Sequence, residues 1–358
     1  MTPQYYYSNS ASNVKLLFIE DQRDNVEPVI DSLPANVQYM VCDFEAADRT
    51  RKAFDPDIIS LDMLLDGHAA ESSPEGLRIH SAILDESFCP IIVYSAYPEL
   101  IQRANTEHPL ISPVKKGAGS EKTFIAALEE FRPHVESKQE LLKFVRAEIS
   151  NAMRSISPLV FSQYEEPAIR QDAILRSSRR RVAAALDAIL VSEEKLSSWE
   201  QFIYPPFGPD LCMGDVIQVS GADSSDPASF RLVLTPSCDL ANSGGRTAKV
   251  TNVLVARCVS CSTGLLKLNL PKKVEKAAEK LRDTLSTGFK DDLLPIPELH
   301  GVLPSMTAKL KDLELIPLSD IGDNCPFVPI ASIDSPFREM VAWAYMQTSC
   351  RPGLPERD

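Results

Sequence analysis

The chain has 358 residues, of which 44% are hydrophobic and 24% charged, a composition that excludes a largely disordered protein. Its net charge is −13, because 50 acidic residues outnumber 37 basic ones, which argues against a surface that coats nucleic acid. No apolar run reaches the roughly 18 residues of a membrane span, and no secretory signal is evident, so we expect a cytoplasmic protein with reduced cysteines. Residues 1–13 are predicted to be a disordered tail, and the length predicts two or three domains.

Five short apolar segments in the first third of the chain predict buried strands of a parallel sheet. They are VKLLFI (14–19), VQYMVC (37–42), DIISLDM (57–63), PIIVYSA (90–96) and LISPV (110–114). Helix-compatible segments alternate with them, and the last of these begins at Ser120, a residue type that can cap a helix. The pattern predicts an α/β domain over residues 14–134, with a doubly wound parallel sheet of five strands.

Polar residues follow these strands at the point where each one ends. They are Glu20 and Asp21 after the first strand, Asp62 after the third, Ser95 after the fourth, and Lys115 and Lys116 after the fifth. Ligand sites of open α/β sheets form outside the carboxyl ends of the strands, so we expect these side chains to converge. Clustered carboxylates raise one another's pKa unless a cation neutralises them, and Mg²⁺ prefers oxygen ligands. The sequence therefore predicts a magnesium site.

With these residues in place, the segment from about 14 to 132 resembles the receiver domain of bacterial response regulators. The acids in FIEDQ and IISLDMLLDG, the hydroxyl in IIVYSA and the lysine in PVKKG match that family's five functional positions in order. The resemblance implies that Asp62 accepts a phosphoryl group from a sensor histidine kinase or a phosphotransfer protein.

The resemblance also assigns roles to the surrounding groups. It implies that Glu20, Asp21 and Asp62 bind Mg²⁺ together with the Leu64 carbonyl. Ser95 would hydrogen-bond a phosphoryl oxygen, and a lysine would pair with the phosphoryl charge. Both Lys115 and Lys116 are candidates for that lysine, and we favour Lys116 because Val114 lies two residues before it, as an apolar residue does in the family.

The chain departs from the family at the positions that usually transmit the signal. The aromatic residue expected three positions before the lysine is replaced by Pro113 or Ser112, and the loop Gly67–Gly76 is longer than usual. Proline cannot swing a ring between rotamers, so we expect switching to use another element, with that loop as the candidate. The alternative is a pseudo-receiver, a scaffold that binds a partner protein and is never phosphorylated.

Residues 135–203 predict a helical connector, because apolar residues recur there at spacings of three and four. A homodimer formed through this connector is one hypothesis, and a packed hairpin without a signalling role is the other. The basic cluster SSRRRVAAAL (177–186) places three consecutive arginines around a helix rather than along one face, which favours an ion-paired or solvated surface over nucleic-acid binding.

Residues 204–358 predict a β-rich α+β domain that begins with the linker YPPFGPD (204–210). Strands are predicted in GDVIQVSG, SFRLVLTPSCDL, KVTNVLVARCVS and LLKLNL, arranged as a small antiparallel barrel or sandwich. Helices are predicted in KKVEKAAEKLRDTL and SPFREMVAWAYMQTS. We expect this domain to be the output of the receiver, acting on a partner protein that the sequence does not identify.

The cysteines of this domain suggest two further chemistries. Zn²⁺ is possible at Cys238, Cys258 and Cys261, with Cys212 or His300 as a fourth ligand. A receiver-regulated cysteine-dependent enzyme with a Cys238 nucleophile is the alternative, and His300 is the one histidine after residue 134 that could activate it. Buried cysteines that simply fill apolar space are the third interpretation.

Overall fold

The computed structural model describes residues 13–64, 75–86, 88–104, 108–189, 196–261 and 288–349. Its contacts divide the chain into two compact units, Met1–Ser192 and Glu193–Asp358. Within the described ranges, none of the helices combines the length and the apolar character needed to span a bilayer.

The first unit contains one parallel five-stranded sheet. Its strands are β1 (Val14–Ile19), β2 (Val37–Cys42), β3 (Ile58–Leu61), β4 (Ile91–Ser95) and β5 (Ile111–Lys115). They lie in the order β2-β1-β3-β4-β5, which is consistent with a receiver fold and confirms the predicted parallel sheet. Every carboxyl end therefore lies at the same edge of the sheet.

Helices cover both faces of this sheet. They are α1 (Glu27–Ile30), α2 (Ala47–Phe54), α3 (Glu75–Glu86) and α4 (Ser120–Gln163), and a 3₁₀ helix (Pro98–Ala104) links β4 to β5. Successive side chains of β1 point to opposite faces, so Leu16 and Phe18 join one core while Leu17 joins the other. Burial of both faces explains why β1, β3 and β4 are almost continuously apolar. The edge strands β2 and β5 are partly exposed, so the prediction that all five strands are buried was wrong for these two.

Helix α4 is 44 residues long, so the last helix of the sheet domain continues without a break into the predicted connector. It packs against α5 (Pro167–Ile189), and Arg181 of the basic cluster forms an ion pair with Glu148 at 3.3 Å.

The expected cap at Ser120 is absent: Gly119 is the N-cap residue of α4, and Ser120 is the first residue of the helix. The Ser120 hydroxyl instead forms a buried hydrogen bond with the Tyr94 hydroxyl.

The second unit contains one antiparallel sheet, which confirms the predicted β-rich domain. Its strands are β6 (Phe202–Ile203), β7 (Asp215–Val219), β8 (Phe230–Val233), β9 (Asn252–Ser260), β10 (Leu293–Ile296), β11 (Met306–Pro317) and β12 (Phe327–Ile333), in the order β10-β11-β9-β8-β7-β12-β6. The described strands thus form a single sheet rather than a sandwich, and four of them, β6, β10, β11 and β12, were not predicted from the sequence.

Two helices accompany this sheet, α6 (Ser237–Leu240) and α7 (Phe337–Ser349). Helix α7 buries Val341 and Ala344 against one face of the sheet, where Phe230 and Leu232 belong to the same core.

The predicted helix at 272–285 and the predicted strand at 265–270 lie outside the described residues. Residues 202–203 belong to the second unit because β6 pairs with β12.

Candidate functional site

Three carboxylates converge at the carboxyl edge of the parallel sheet. Glu20 and Asp21 directly follow β1, and Asp62 directly follows the neighbouring β3. One oxygen from each side chain can be chosen so that the three atoms lie within 4.8 Å of one another. Glu20 and Asp62 are buried, whereas Asp21 is partly exposed, so the cluster opens toward solvent on the side of Asp21.

Lys116 neutralises the two buried members of this cluster. Its Nζ donates to Glu20 Oε2 at 2.5 Å and to Asp62 Oδ2 at 2.6 Å. The backbone positions it, because β5 pairs with β4 and the Lys116 N–H donates to the Ser95 carbonyl at 2.9 Å. Lys115 is exposed and makes neither contact with the carboxylates.

The backbone after β3 binds the second oxygen of Asp62. Asp62 Oδ1 accepts hydrogen bonds from the amide of Met63 at 2.7 Å and from that of Leu64 at 3.5 Å. Gly76, in the first turn of α3, packs directly against this turn: an added Cβ would lie 2.5 Å from the Asp62 carbonyl oxygen. Only glycine lets the helix come this close, a requirement that the sequence analysis did not identify.

Burial and charge act in opposite directions on the ionisable groups of the site. Burial raises the pKa of Glu20 above its ordinary value, although hydrogen bonds from Lys116 and Asn25 oppose the shift. Burial alone would lower the pKa of Lys116, but the charges of Asp62 and Glu20 outweigh it and the pKa is raised. Lys116 is therefore held as an ammonium ion between two acids.

The remaining predicted residues lie in, or a few residues after, β3, β4 and β5. Ser95 ends β4 and is fully buried, and its hydroxyl accepts a hydrogen bond from the Tyr97 amide at 3.3 Å. Leu64 is the last described residue before a stretch outside the described ranges, which contains most of the predicted switch loop. Ser112 and Pro113 lie in β5, and Pro113 is exposed.

The arrangement fits a hard divalent cation. Glu20, Asp21 and Asp62 supply oxygen ligands only, which is the donor set that Mg²⁺ prefers. Among the residues that the structure describes, this is the one group of three or more acidic, histidine or cysteine side chains close enough to share a metal ion. The acidic cluster is thus compatible with the predicted Mg²⁺ site.

An aromatic side chain that the sequence analysis did not select also borders the site. The Tyr94 ring lies under Lys116, with Nζ 5.7 Å from the ring centroid. Tyr94 immediately precedes Ser95, and alternation along β4 turns the two side chains to opposite faces of the sheet. In the segment IIVYSA this alternation could have indicated Tyr94 as the aromatic residue on the face of β4 opposite to Ser95.

The cysteines of the second unit do not form a comparable cluster within the described residues. Cys258, in β9, is buried in the core, and burial raises the pKa of its thiol to about 12. Cys238 is exposed and its sulfur lies 3.5 Å from Asp239 Oδ1. His300 is fully exposed and contacts Glu298. The zinc hypothesis and the thiol-enzyme hypothesis therefore gain no support from the geometry.

Comparisons with known proteins place response regulators among the similar solved structures. The receiver domain of the PhyR response regulator from Erythrobacter litoralis is 22% identical, with 33% of this chain and 91% of that chain covered and a TM-score of 0.26. The Legionella pneumophila response regulator LqsR is 13% identical, with 86% of this chain and 87% of that chain covered and a TM-score of 0.29. No family model and no curated protein matches the chain.

Proposed function

We propose that the first unit is a receiver domain that accepts a phosphoryl group on Asp62 and controls the second unit as its output. The observation that carries the proposal is the convergence of Glu20, Asp21 and Asp62 with Lys116 at one edge of a parallel sheet in receiver order. Ordinary strand ends do not require such a concentration of charge. The donor is proposed to be a sensor histidine kinase or a phosphotransfer protein, and the output partner an unidentified protein.

The chemistry follows from how Asp62 is held. A carboxylate oxygen of Asp62 would form the new P–O bond while the P–N bond of a phosphohistidine breaks, and the electron pair of that bond returns to the imidazole nitrogen. The amides of Met63 and Leu64 orient the carboxylate through Oδ1. Lys116, 2.6 Å from Oδ2, is close enough to pair with a phosphoryl oxygen.

Glu20, Asp21 and Asp62 would hold Mg²⁺, with the Leu64 carbonyl as a further ligand. The bound ion would supply positive charge that offsets the charge of the incoming phosphoryl group. Ser95 is proposed to hydrogen-bond a phosphoryl oxygen from its position at the end of β4.

Incubation of the full chain with acetyl phosphate and Mg²⁺ tests this proposal by intact-mass spectrometry. We expect a gain of one phosphoryl group that is absent from Asp62→Asn and from samples containing chelator. Asp55→Asn is the matched control: Asp55 is an exposed acid near the opposite end of β3 and has a left-handed backbone, which asparagine tolerates. If Asp62→Asn gains the same mass as the wild type, the proposal is wrong.

One observation favours a second candidate, a scaffold that binds a partner protein without being phosphorylated. Lys116 already bridges Glu20 and Asp62, so the two buried acids have a counter-charge in the absence of any ion. A scaffold would show no mass gain and no Mg²⁺-dependent change in stability.

A further inference from the structure

Tyr94 connects the charged site to the first turn of α4. On one side its ring lies under the Lys116 ammonium, 5.7 Å from Nζ to the ring centroid, within the range of a cation–π contact. On the other side its hydroxyl is 2.8 Å from the hydroxyl of Ser120, the first residue of α4.

The surroundings of Tyr94 make this connection rigid. Tyr94 is 4% exposed, and its ring packs edge-on against Phe124 of α4 with centroids 5.3 Å apart. Phe124 in turn stacks on Phe18 of β1, with centroids 5.7 Å apart. A displacement of the Tyr94 ring must therefore be accommodated by α4 or by the strand, because a densely packed interior has little free space.

This hydrogen bond ties the first residue of α4 to the sheet. The N-cap residue is Gly119, which has no side chain to accept from the exposed amides of the first turn. The buried Tyr94–Ser120 bond is thus a tertiary anchor at this end of a helix that extends 44 residues into the hairpin with α5.

We propose that Tyr94 transmits occupancy of the acidic site to α4 through Lys116 and Ser120. An anionic phosphoryl group on Asp62 adds a strong acceptor for the Lys116 ammonium and draws it from the Tyr94 ring. The ring loses its charged contact, the Tyr94–Ser120 hydrogen bond weakens, and the first turns of α4 loosen. Tyr94 would thus do the work of the aromatic residue that this chain lacks at Ser112 or Pro113. The inference rests on the proposed phosphoacceptor function.

Hydrogen exchange on the full chain, with Mg²⁺ and beryllofluoride as the phosphoryl mimic, tests the proposal. In the wild type we expect beryllofluoride to speed amide exchange in residues 121–131 by about fivefold, the effect of losing one buried hydrogen bond. Binding of the mimic is measured separately, from the fluorine NMR signal of the bound ion.

Two variants and one control complete the experiment. Tyr94→Phe keeps the ring and removes the hydroxyl, and Ser120→Ala removes its partner. Both should exchange fast in 121–131 before the mimic is added and show no further change after it binds. Tyr97→Phe is the control, because Tyr97 lies beside Ser95 but is exposed, and it should respond like the wild type.

The outcomes separate this inference from the function on which it rests. Bound beryllofluoride with unchanged exchange in 121–131, or a wild-type response in both Tyr94→Phe and Ser120→Ala, overturns the Tyr94 route and leaves the phosphoacceptor function standing. Failure of the wild type to bind beryllofluoride overturns both.

Discussion

The two sheets of this protein differ in how they distribute chemically active side chains. In the parallel sheet every strand ends at the same edge, so residues that follow β1 and β3 meet, and Lys116 after β5 reaches both. In the antiparallel sheet neighbouring strands end at opposite edges, so Cys238 after β8 and Cys261 after β9 are not brought together by the strand order. Strand direction thus decides whether residues spread along the sequence become a site.

Removal of Lys116 should give the largest effect, because it leaves two buried carboxylates without a counter-charge. In the presence of chelator, Lys116→Met should lower the free energy of unfolding of the first unit by about 3 kcal/mol. Urea titration followed by circular dichroism measures this change. Tryptophan fluorescence separately reports on the second unit, where Trp199 and Trp343 both lie, and it should show no change.

Lys115→Met is the matched control for this prediction. Lys115 is exposed and contacts neither acid, so its substitution should change the free energy of unfolding by no more than about 0.5 kcal/mol. Equal effects of the two lysine substitutions would contradict the assigned geometry.

Cysteine substitutions test the other half of the comparison. Cys258→Ser places a hydroxyl in the apolar core and should destabilise the second unit by about 2 kcal/mol, whereas Cys238→Ser, at an exposed position, should have no measurable effect. Tryptophan fluorescence in urea measures both. If the two cysteines instead bound one metal ion, both substitutions and added chelator would destabilise this unit to a similar extent.

His80 gives the first unit a predictable pH dependence. Its side chain is buried in α3, and Nε2 has no hydrogen-bond partner among the residues that the structure describes. Burial lowers the pKa of His80 in the folded state. As the pH falls below about 6.5, the unfolded chain takes up a proton that the folded chain does not, so stability is lost. His80→Leu should reduce the loss between pH 7 and 5 by about 1 kcal/mol, as measured by urea titration of the first unit. An unchanged pH profile would contradict the burial of a neutral imidazole.

Asp21→Asn should give a small effect of the opposite sign to that of Lys116→Met. Removing the third, partly exposed carboxylate relieves repulsion in the metal-free cluster, so the free energy of unfolding should rise by about 0.5 kcal/mol in chelator. The same variant should lose stabilisation by added Mg²⁺. Thermal melts with and without Mg²⁺ measure both effects, and lower stability in chelator would show that the acids do not repel one another.

The sequence predicted the first sheet well because β1, β3 and β4 are buried on both faces and therefore form short apolar runs. The bounds of β1 and of the partly exposed edge strand β2 match the predicted segments residue for residue. The acidic cluster could be predicted because it needs only strand direction. Gly76 could not, since its role depends on the distance between α3 and the Asp62 backbone. In the second unit, β11 was missed because its burial pattern does not alternate regularly and a register shift separates Lys309 from Leu313.

The central claim is that Asp62 accepts the phosphoryl group, and borohydride trapping tests it most directly. Borohydride reduces an aspartyl phosphate to homoserine, which peptide mass spectrometry can assign to a single position. After incubation of the full chain with acetyl phosphate and Mg²⁺, we predict homoserine at position 62 and not at positions 21, 55 or 57. Omission of Mg²⁺ should abolish the signal. Unmodified Asp62 in the complete reaction, or homoserine at another of these positions, would contradict the account.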